Sequence, residues 1–189
     1  MEASQKSYGS LQLSFNKPPL NLKVEIVEND AVASVPNQNF MESDFNGDTV
    51  YYWYNPKQYP EDLNFFFVNV DADSLHVDSV RVLLKKLPPT EFKISFKTEG
   101  KVGPKKPLTL ESTTPITAWN KELIALYFGE EEVPFEMAQI DDRHFSLNYL
   151  RNYGETHKLI ATPGAFKDVF NTKNDSIKLT VAVGKEEDL

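Results

Sequence analysis

The sequence predicts an all-β chain of two β-sandwich domains in tandem, and three observations lead there. Apolar and polar residues alternate with a period of two over most of the chain, the pattern of a strand with one buried and one wet face. No window shows a sustained apolar stripe at helical spacing. The chain has 189 residues, close to two sandwiches of roughly 90 to 100 residues each, and the alternation stops for one long stretch, Glu99 to Pro107.

Taken in order, Leu11, Leu13 and Phe15 alternate with Ser10, Gln12 and Ser14, and Leu22, Val24 and Ile26 with Lys23 and Glu25. Thr49 to Tyr54 and Leu63 to Val70 are apolar or aromatic on both sides and read as central strands. Val77 to Leu84 follows, then Phe92, Ile94 and Phe96 alternating with Lys93, Ser95 and Lys97. Asn29–Asp30, Asn46–Gly47, Pro60 to Asp62 and Pro88–Pro89 supply the breaks. Glycine, proline and lysine then replace the alternation over Glu99 to Pro107, which sets the domains at residues 8–98 and 106–185. Beyond it come Leu108–Leu110, Ile124–Leu126–Phe128, Val133–Phe135–Met137, Phe145–Leu147–Tyr149, His157 to Thr162 and Ile177–Leu179–Val181–Val183, with a short helical turn expected over Ala165 to Phe170. A weak internal repeat relates Leu11-x-Leu13 to Leu108-x-Leu110 and Asp78-Ser79-Val80 to Asp175-Ser176-Ile177, each 97 residues apart. It does not place the Phe92 to Phe96 strand, so the two halves need not share one topology.

Apolar residues make up 40% and aromatics 12%, enough for two packed cores. The net charge of −8 is spread over both halves, which excludes nucleic acid and anionic lipid as natural partners because the field has the wrong sign. No run reaches the ~20 apolar residues that span a bilayer, and Met1 to Ser7 lacks the apolar stretch of a secretory signal. Without cysteine there are no disulfides, thiolate nucleophiles or thiolate metal sites.

Catalysis finds little support. No serine lies in a Gly-x-Ser-x-Gly elbow, and no glycine-rich phosphate loop or dinucleotide fingerprint occurs, so no catalytic residue and no cofactor is expected. His76, His144 and His157 stand singly and read as strand histidines with hydrogen-bonded rings, not as metal ligands. The acidic sets Asp71, Asp73, Asp78 and Asp44, Asn46, Asp48 lack the twelve-residue loop with a closing glutamate that calcium favours, and read as turn residues accepting local N–H groups. The aromatic strand Tyr51-Tyr52-Trp53-Tyr54 stands out, because alternation puts Tyr51 and Trp53 on one face. Exposed, that pair would form a platform for a sugar ring or a protein partner; buried, it is core.

The runs Gly47-Asp48-Thr49-Val50-Tyr51-Tyr52-Trp53-Tyr54, Ser112-Thr113-Thr114-Pro115-Ile116 and Thr162-Pro163-Gly164-Ala165-Phe166-Lys167-Asp168-Val169-Phe170, followed by Asn174-Asp175-Ser176, resemble the immunoglobulin-like-domain envelope lipoproteins of the Bacteroidetes group. The resemblance covers most of residues 8–184. It implies two tandem immunoglobulin-like sandwiches in an extracytoplasmic, outer-membrane-anchored lipoprotein, whose signal and lipidated cysteine would lie outside this sequence. It transfers no catalytic motif. The function so implied is a non-catalytic structural or interaction module with a protein or polysaccharide partner in the envelope. The alternatives are a carbohydrate-binding module using Tyr51 and Trp53, and a hydrolase with an acidic pair at the domain junction.

Overall fold

The computed structural model describes residues 1–19, 22–28, 31–32, 40–44, 46–58, 65–71, 77–97 and 102–186. Strands dominate, with two single-turn 3₁₀ segments, Pro56–Gln58 and Lys121–Leu123. The chain divides into two compact units, Met1–Thr90 and Glu91–Leu189.

The first unit contains β1 (Glu2–Ser7), β2 (Ser10–Ser14), β3 (Lys23–Glu28), β4 (Ala31–Val32), β5 (Phe40–Ser43), β6 (Thr49–Trp53), β7 (Phe65–Asp71) and β8 (Val77–Leu83). They form two antiparallel sheets, ordered β1-β2-β6-β5 and β4-β3-β7-β8. Alternation in β2 sends Leu11 and Leu13 fully inward, where they meet Val50 and Tyr52 of β6 and Val82 of β8. The β5–β6 hairpin turns on Asn46–Gly47, and Gly47 takes a φ of +74°, a conformation that costs an L side chain dearly.

The second unit contains β9 (Ile94–Lys97), β10 (Leu108–Ser112), β11 (Ile116–Trp119), β12 (Ile124–Phe128), β13 (Glu131–Glu132), β14 (Glu136–Gln139), β15 (His144–Asn148), β16 (Thr156–Ala161), β17 (Phe166–Asp168) and β18 (Ile177–Ala182). Its main sheets run β9-β10-β15-β14 and β13-β12-β16-β18, and β11 pairs with β17 at one end. Inward residues of both sheets, Leu110, Met137, Phe145 and Leu147 on one side and Leu126, Leu159 and Val181 on the other, close one core.

The strand orders of the two units are the same once β11 and β17 are set aside. Lettered along the chain, each unit places A, B, E and D in one sheet and C′, C, F and G in the other, which is the immunoglobulin-like arrangement with one extra edge strand beside C. Leu11 and Leu108 fall on equivalent strands β2 and β10, and the Asp78 and Asp175 runs at equivalent last strands β8 and β18. The halves therefore do share one topology.

That equivalence also moves the boundary expected between residues 98 and 106. Ile94–Lys97 pairs antiparallel with β10, Thr109 opposite Lys97 and Ser112 opposite Ile94, so it opens the second unit and does not close the first. Ile94 is buried in the second core, with Phe92 and Phe96 packed against it. The described part of the glycine- and proline-rich stretch is a connection within that unit. Val102 makes a parallel bridge to Val183, so the chain crosses from the first sheet to the last strand of the second. The first unit ties its first strand to the segment after its last differently, through the Gln5 amide, which accepts from Lys85 N at 2.6 Å and donates to Lys85 O at 3.2 Å.

Three further expectations change. Ala165 to Phe170 is not helical, because Phe166 and Asp168 both point inward as alternate residues of β17. Val133 to Phe135 is a connection, and the strand begins at Glu136; Pro134 has no N–H to give a ladder. Strands β1, β5 and β11 appear where no alternating apolar run announces them.

Candidate functional site

The ring pair Tyr51 and Trp53, a platform only if exposed, is not open. Trp53 is only 4% exposed and Tyr51 is half-buried, while Tyr52 and Tyr54, on the opposite face, are buried too. A stacking surface needs bare ring faces, so Trp53 is withdrawn from that role.

The turn Asp44, Asn46, Asp48 satisfies its own backbone. Asp44 Oδ1 accepts from Gly47 N at 2.8 Å and from Thr49 N at 3.2 Å, and Asp48 Oδ1 accepts from the Thr49 hydroxyl at 3.2 Å. These are the local bonds of an Asx turn. Asp73 and His76 lie outside the described residues. Among the described residues no group of three histidines and acids is placed to hold a metal ion, and no helix is long and apolar enough to cross a membrane.

His144 sits among charges on the outer face of β15. Both Asp141 carboxylate oxygens approach its Nδ1 at 2.8 Å, while Nε2 faces Glu111 at 3.3 Å and Lys97 at 3.4 Å. A histidine oriented by an aspartate is half of a proton-relay triad, but the far nitrogen here meets an acid and an amine, not a hydroxyl nucleophile. Burial pushes the Asp141 carboxyl up, but the N–H of Arg143 and the His144 ring outweigh it and hold the group below its ordinary value. Next to it, burial and the Asp141 charge push Asp142 up.

Sequence reading gave no role to three buried polar side chains of the second unit, Asp168, Asn174 and Arg151, and expected a hydrogen-bonded ring at a fourth, His157, whose Nδ1 has no such partner. Asp168, 2% exposed, accepts from the Thr114 hydroxyl at 3.0 Å through Oδ2 and from Phe170 N and Thr172 N at 2.9 and 2.7 Å through Oδ1. Asn174, 5% exposed, accepts from Phe166 N at 2.7 Å and donates to Thr162 O and Asp175 O at 3.0 and 2.6 Å. The Pro-Gly-Ala-Phe and Asn-Asp-Ser runs are thus one device: a long connection between β16 and β18 folded onto itself, laid against β11 and satisfied from inside.

The other two lie at the opposite turn, where β15 leads into β16. Arg151, buried, donates through Nε and Nη2 to Gly103 O at 3.2 and 2.9 Å and through Nη2 to Lys106 O, with its guanidinium 4.8 Å from the centre of the Tyr149 ring. His157, 1% exposed, stands against Tyr149 and Phe128, ring centres 4.8 and 5.2 Å away. The signal for Arg151 was the Gly-Pro-Lys-Lys-Pro run itself, since carbonyls in an irregular connection need donors from elsewhere. Nothing in a lone histidine told which face it occupied.

No protein-family model matches the chain, and no curated protein matches it. Solved structures that resemble it include a titin tandem of immunoglobulin domains, 12% identical, covering 97% of this chain and 91% of that one at a TM-score of 0.30. The tandem Ig repeats of Dlar are 10% identical, covering 98% and 96% at a TM-score of 0.30. Dpr2 Ig1-Ig2, solved in complex with DIP-Theta Ig1-Ig3, is 10% identical, covering 97% and 94% at a TM-score of 0.30. At such TM-scores the immunoglobulin-like assignment stands on the strand order alone.

Proposed function

We propose that the chain is a non-catalytic structural and interaction module of an exported cell-envelope protein, held at the outer membrane by a lipidated segment outside this sequence, with a protein partner. What supports the first part is the use of the buried polar side chains. Asp168, Asn174 and Arg151 direct their hydrogen-bonding groups at backbone and one neighbouring hydroxyl, which fixes loops and commits these three side chains to the fold. A sandwich of this kind offers rigid loops and sheet edges as contact surfaces. The envelope address is supported by the resemblance of the Pro-Gly-Ala-Phe and Asn-Asp-Ser runs to that lipoprotein group. The polysaccharide reading loses its main support with the burial of Trp53, and a protein partner at the loops remains.

Photo-crosslinking residues placed at the exposed positions Asn171 and Thr172, followed by fractionation of the source cells, test both parts. The reading expects the chain in the envelope fraction, with adducts to one envelope protein from these loop sites. Recovery in the cytosol, or turnover of a polysaccharide by the purified chain, contradicts it.

A further inference from the structure

The turn between β15 and β16 holds an unusual assembly. The His157 ring is almost wholly enclosed, and its Nδ1 has no hydrogen-bond partner, nor has the Tyr149 hydroxyl beside it. Glu155 is the nearest anion, at 3.6 Å from Nε2, beyond hydrogen-bond reach. Asn152 holds that carboxylate, its backbone N donating at 2.7 Å and its side-chain amide at 2.8 Å. The remaining neighbours offer a proton no welcome. Phe128 of β12 and Val181 of β18 flank the ring and carry no charge, and Glu131 of β13 pairs with Phe128 at an exposed position. Arg151 lies beyond the Tyr149 ring with a fixed positive charge.

The same corner is the tie between the ends of the unit. Val183 N donates to Glu155 O at 2.8 Å, Gly154 N to Gly184 O at 3.2 Å, and Gly184 N to Val102 O at 2.9 Å. Arg151 closes the circuit by gripping Gly103 O and Lys106 O while its guanidinium rests on Tyr149. A contiguous path therefore runs from the His157 ring through Tyr149 and Arg151 to the segment that bridges the first strand to the last.

We propose that this corner is a proton-operated latch: protonation of His157 opens the turn between β15 and β16 and, through Tyr149 and Arg151, releases the Val102 to Lys106 segment. A buried imidazolium with no acceptor at Nδ1 and only a preoccupied anion near Nε2 is costly, and the closed corner relieves that cost by opening to water. Burial favours the neutral ring and outweighs the opposing pull of Glu155, with a smaller contribution from the Arg151 charge, so its pKa lies below the ordinary 6.5. The direction follows. As pH falls through 6.5 the open corner takes up a proton that the closed one refuses, so closure weakens until the lower, closed-state value is passed and then weakens no further.

Hydrogen exchange of the full chain, normalised for intrinsic rates, tests this at about pH 7.5 and about pH 5, the range over which an imidazole changes charge. Amides of two segments, Asn152, Gly154 and Glu155 on one side and Val183 and Gly184 on the other, whose N–H groups make the bonds of the corner, are expected to lose protection at the lower pH while β10 holds. In His157→Gln the protection of both segments is independent of pH. In Arg151→Met the Gly184 amide, which donates to Val102 O, is open at both pH values while Asn152 and Glu155 still respond. Equal protection of the native chain at both pH values overturns the proposal, as does a pH response that survives His157→Gln. Should that variant not fold, the imidazole titration of the native chain by NMR decides: a midpoint coincident with the loss of protection supports the latch, and a separate one overturns it.

Discussion

Replacing Asn174 with alanine removes the link that folds the β16–β18 connection onto itself, and the structure lets its cost be worked out. Alanine deletes one acceptor and two donor contacts. Thr162 O keeps the Ala165 N–H at 3.2 Å, so it is not orphaned, but Phe166 N sits in a buried residue and loses its acceptor. An unsatisfied buried N–H costs ~1–3 kcal/mol, about 2 at the middle of the range, and each of the two lost donor bonds removes a further ~0.5 kcal/mol net. The total comes to about 3 kcal/mol. The backbone bonds Asn174 N to Phe166 O and Gly164 N to Asn174 O survive, so the variant folds. For a domain of ~100 residues the loss corresponds to roughly 12 to 24 °C in Tm, since each kcal/mol shifts Tm by ~4–8 °C. Calorimetry of the full chain should show the transition of the second unit fall by that amount while that of the first stays in place. A drop equivalent to less than ~1 kcal/mol, the net value of a single hydrogen bond, would refute the view that this amide organises the connection.

Gly47→Ala keeps ordinary contacts, the added methyl meeting Pro18 Cβ at 3.7 Å, so its cost is conformational, ~1–2 kcal/mol for a side chain in the left-handed region. It should lower the denaturation midpoint of the first unit alone, read by Trp53 fluorescence in a Trp119→Phe background, since each unit holds one of the two tryptophans. Asp141→Asn tests the charge cluster at His144. The Asp141 carboxyl lies below its ordinary 3.8 in the folded state, so its contribution is full above 3.8 and lost as pH falls through the folded value. The variant should therefore be less stable by at most ~1 kcal/mol near neutrality, given an exposed carboxylate, and equal to the parent in strong acid. A gap that persists in strong acid would mean that the loss is not one of charge.

Alternation made the inner strands legible because each has one face in the core: Leu11 and Leu13 of β2, Leu108 and Leu110 of β10, Leu126 of β12 and Leu159 of β16 all point inward. Edge strands gave no such signal. Glu-Ala-Ser-Gln-Lys-Ser forms β1 because Ala3 and Gln5 pair with Leu13 and Leu11 of its neighbour, a demand set by the partner and invisible in the strand itself. The Gly100 to Pro107 stretch misled for a related reason. Glycine and proline mark irregular backbone, not its location, and partners distant in sequence, Arg151 and Val183, hold its described part within a unit. Of the candidate site, the acidic turn was readable because Asp44 bonds residues three and five positions away. The burial of Trp53 and the enclosure of His157 depend on distant strands and had no local trace.

Dissection of the chain at its joint tests the repeated topology most directly. Residues 91–189 and residues 1–90, produced separately, should each unfold in one cooperative calorimetric transition, because each holds a complete set of eight equivalent strands. Residues 99–189, deprived of β9 and of the buried Ile94, should lose cooperative folding or several kcal/mol, the ~2–5 kcal/mol scale of an emptied core position. If residues 99–189 prove as stable as 91–189, or residues 1–90 fold only when extended to residue 98, then β9 belongs to the first unit and the shared strand order fails.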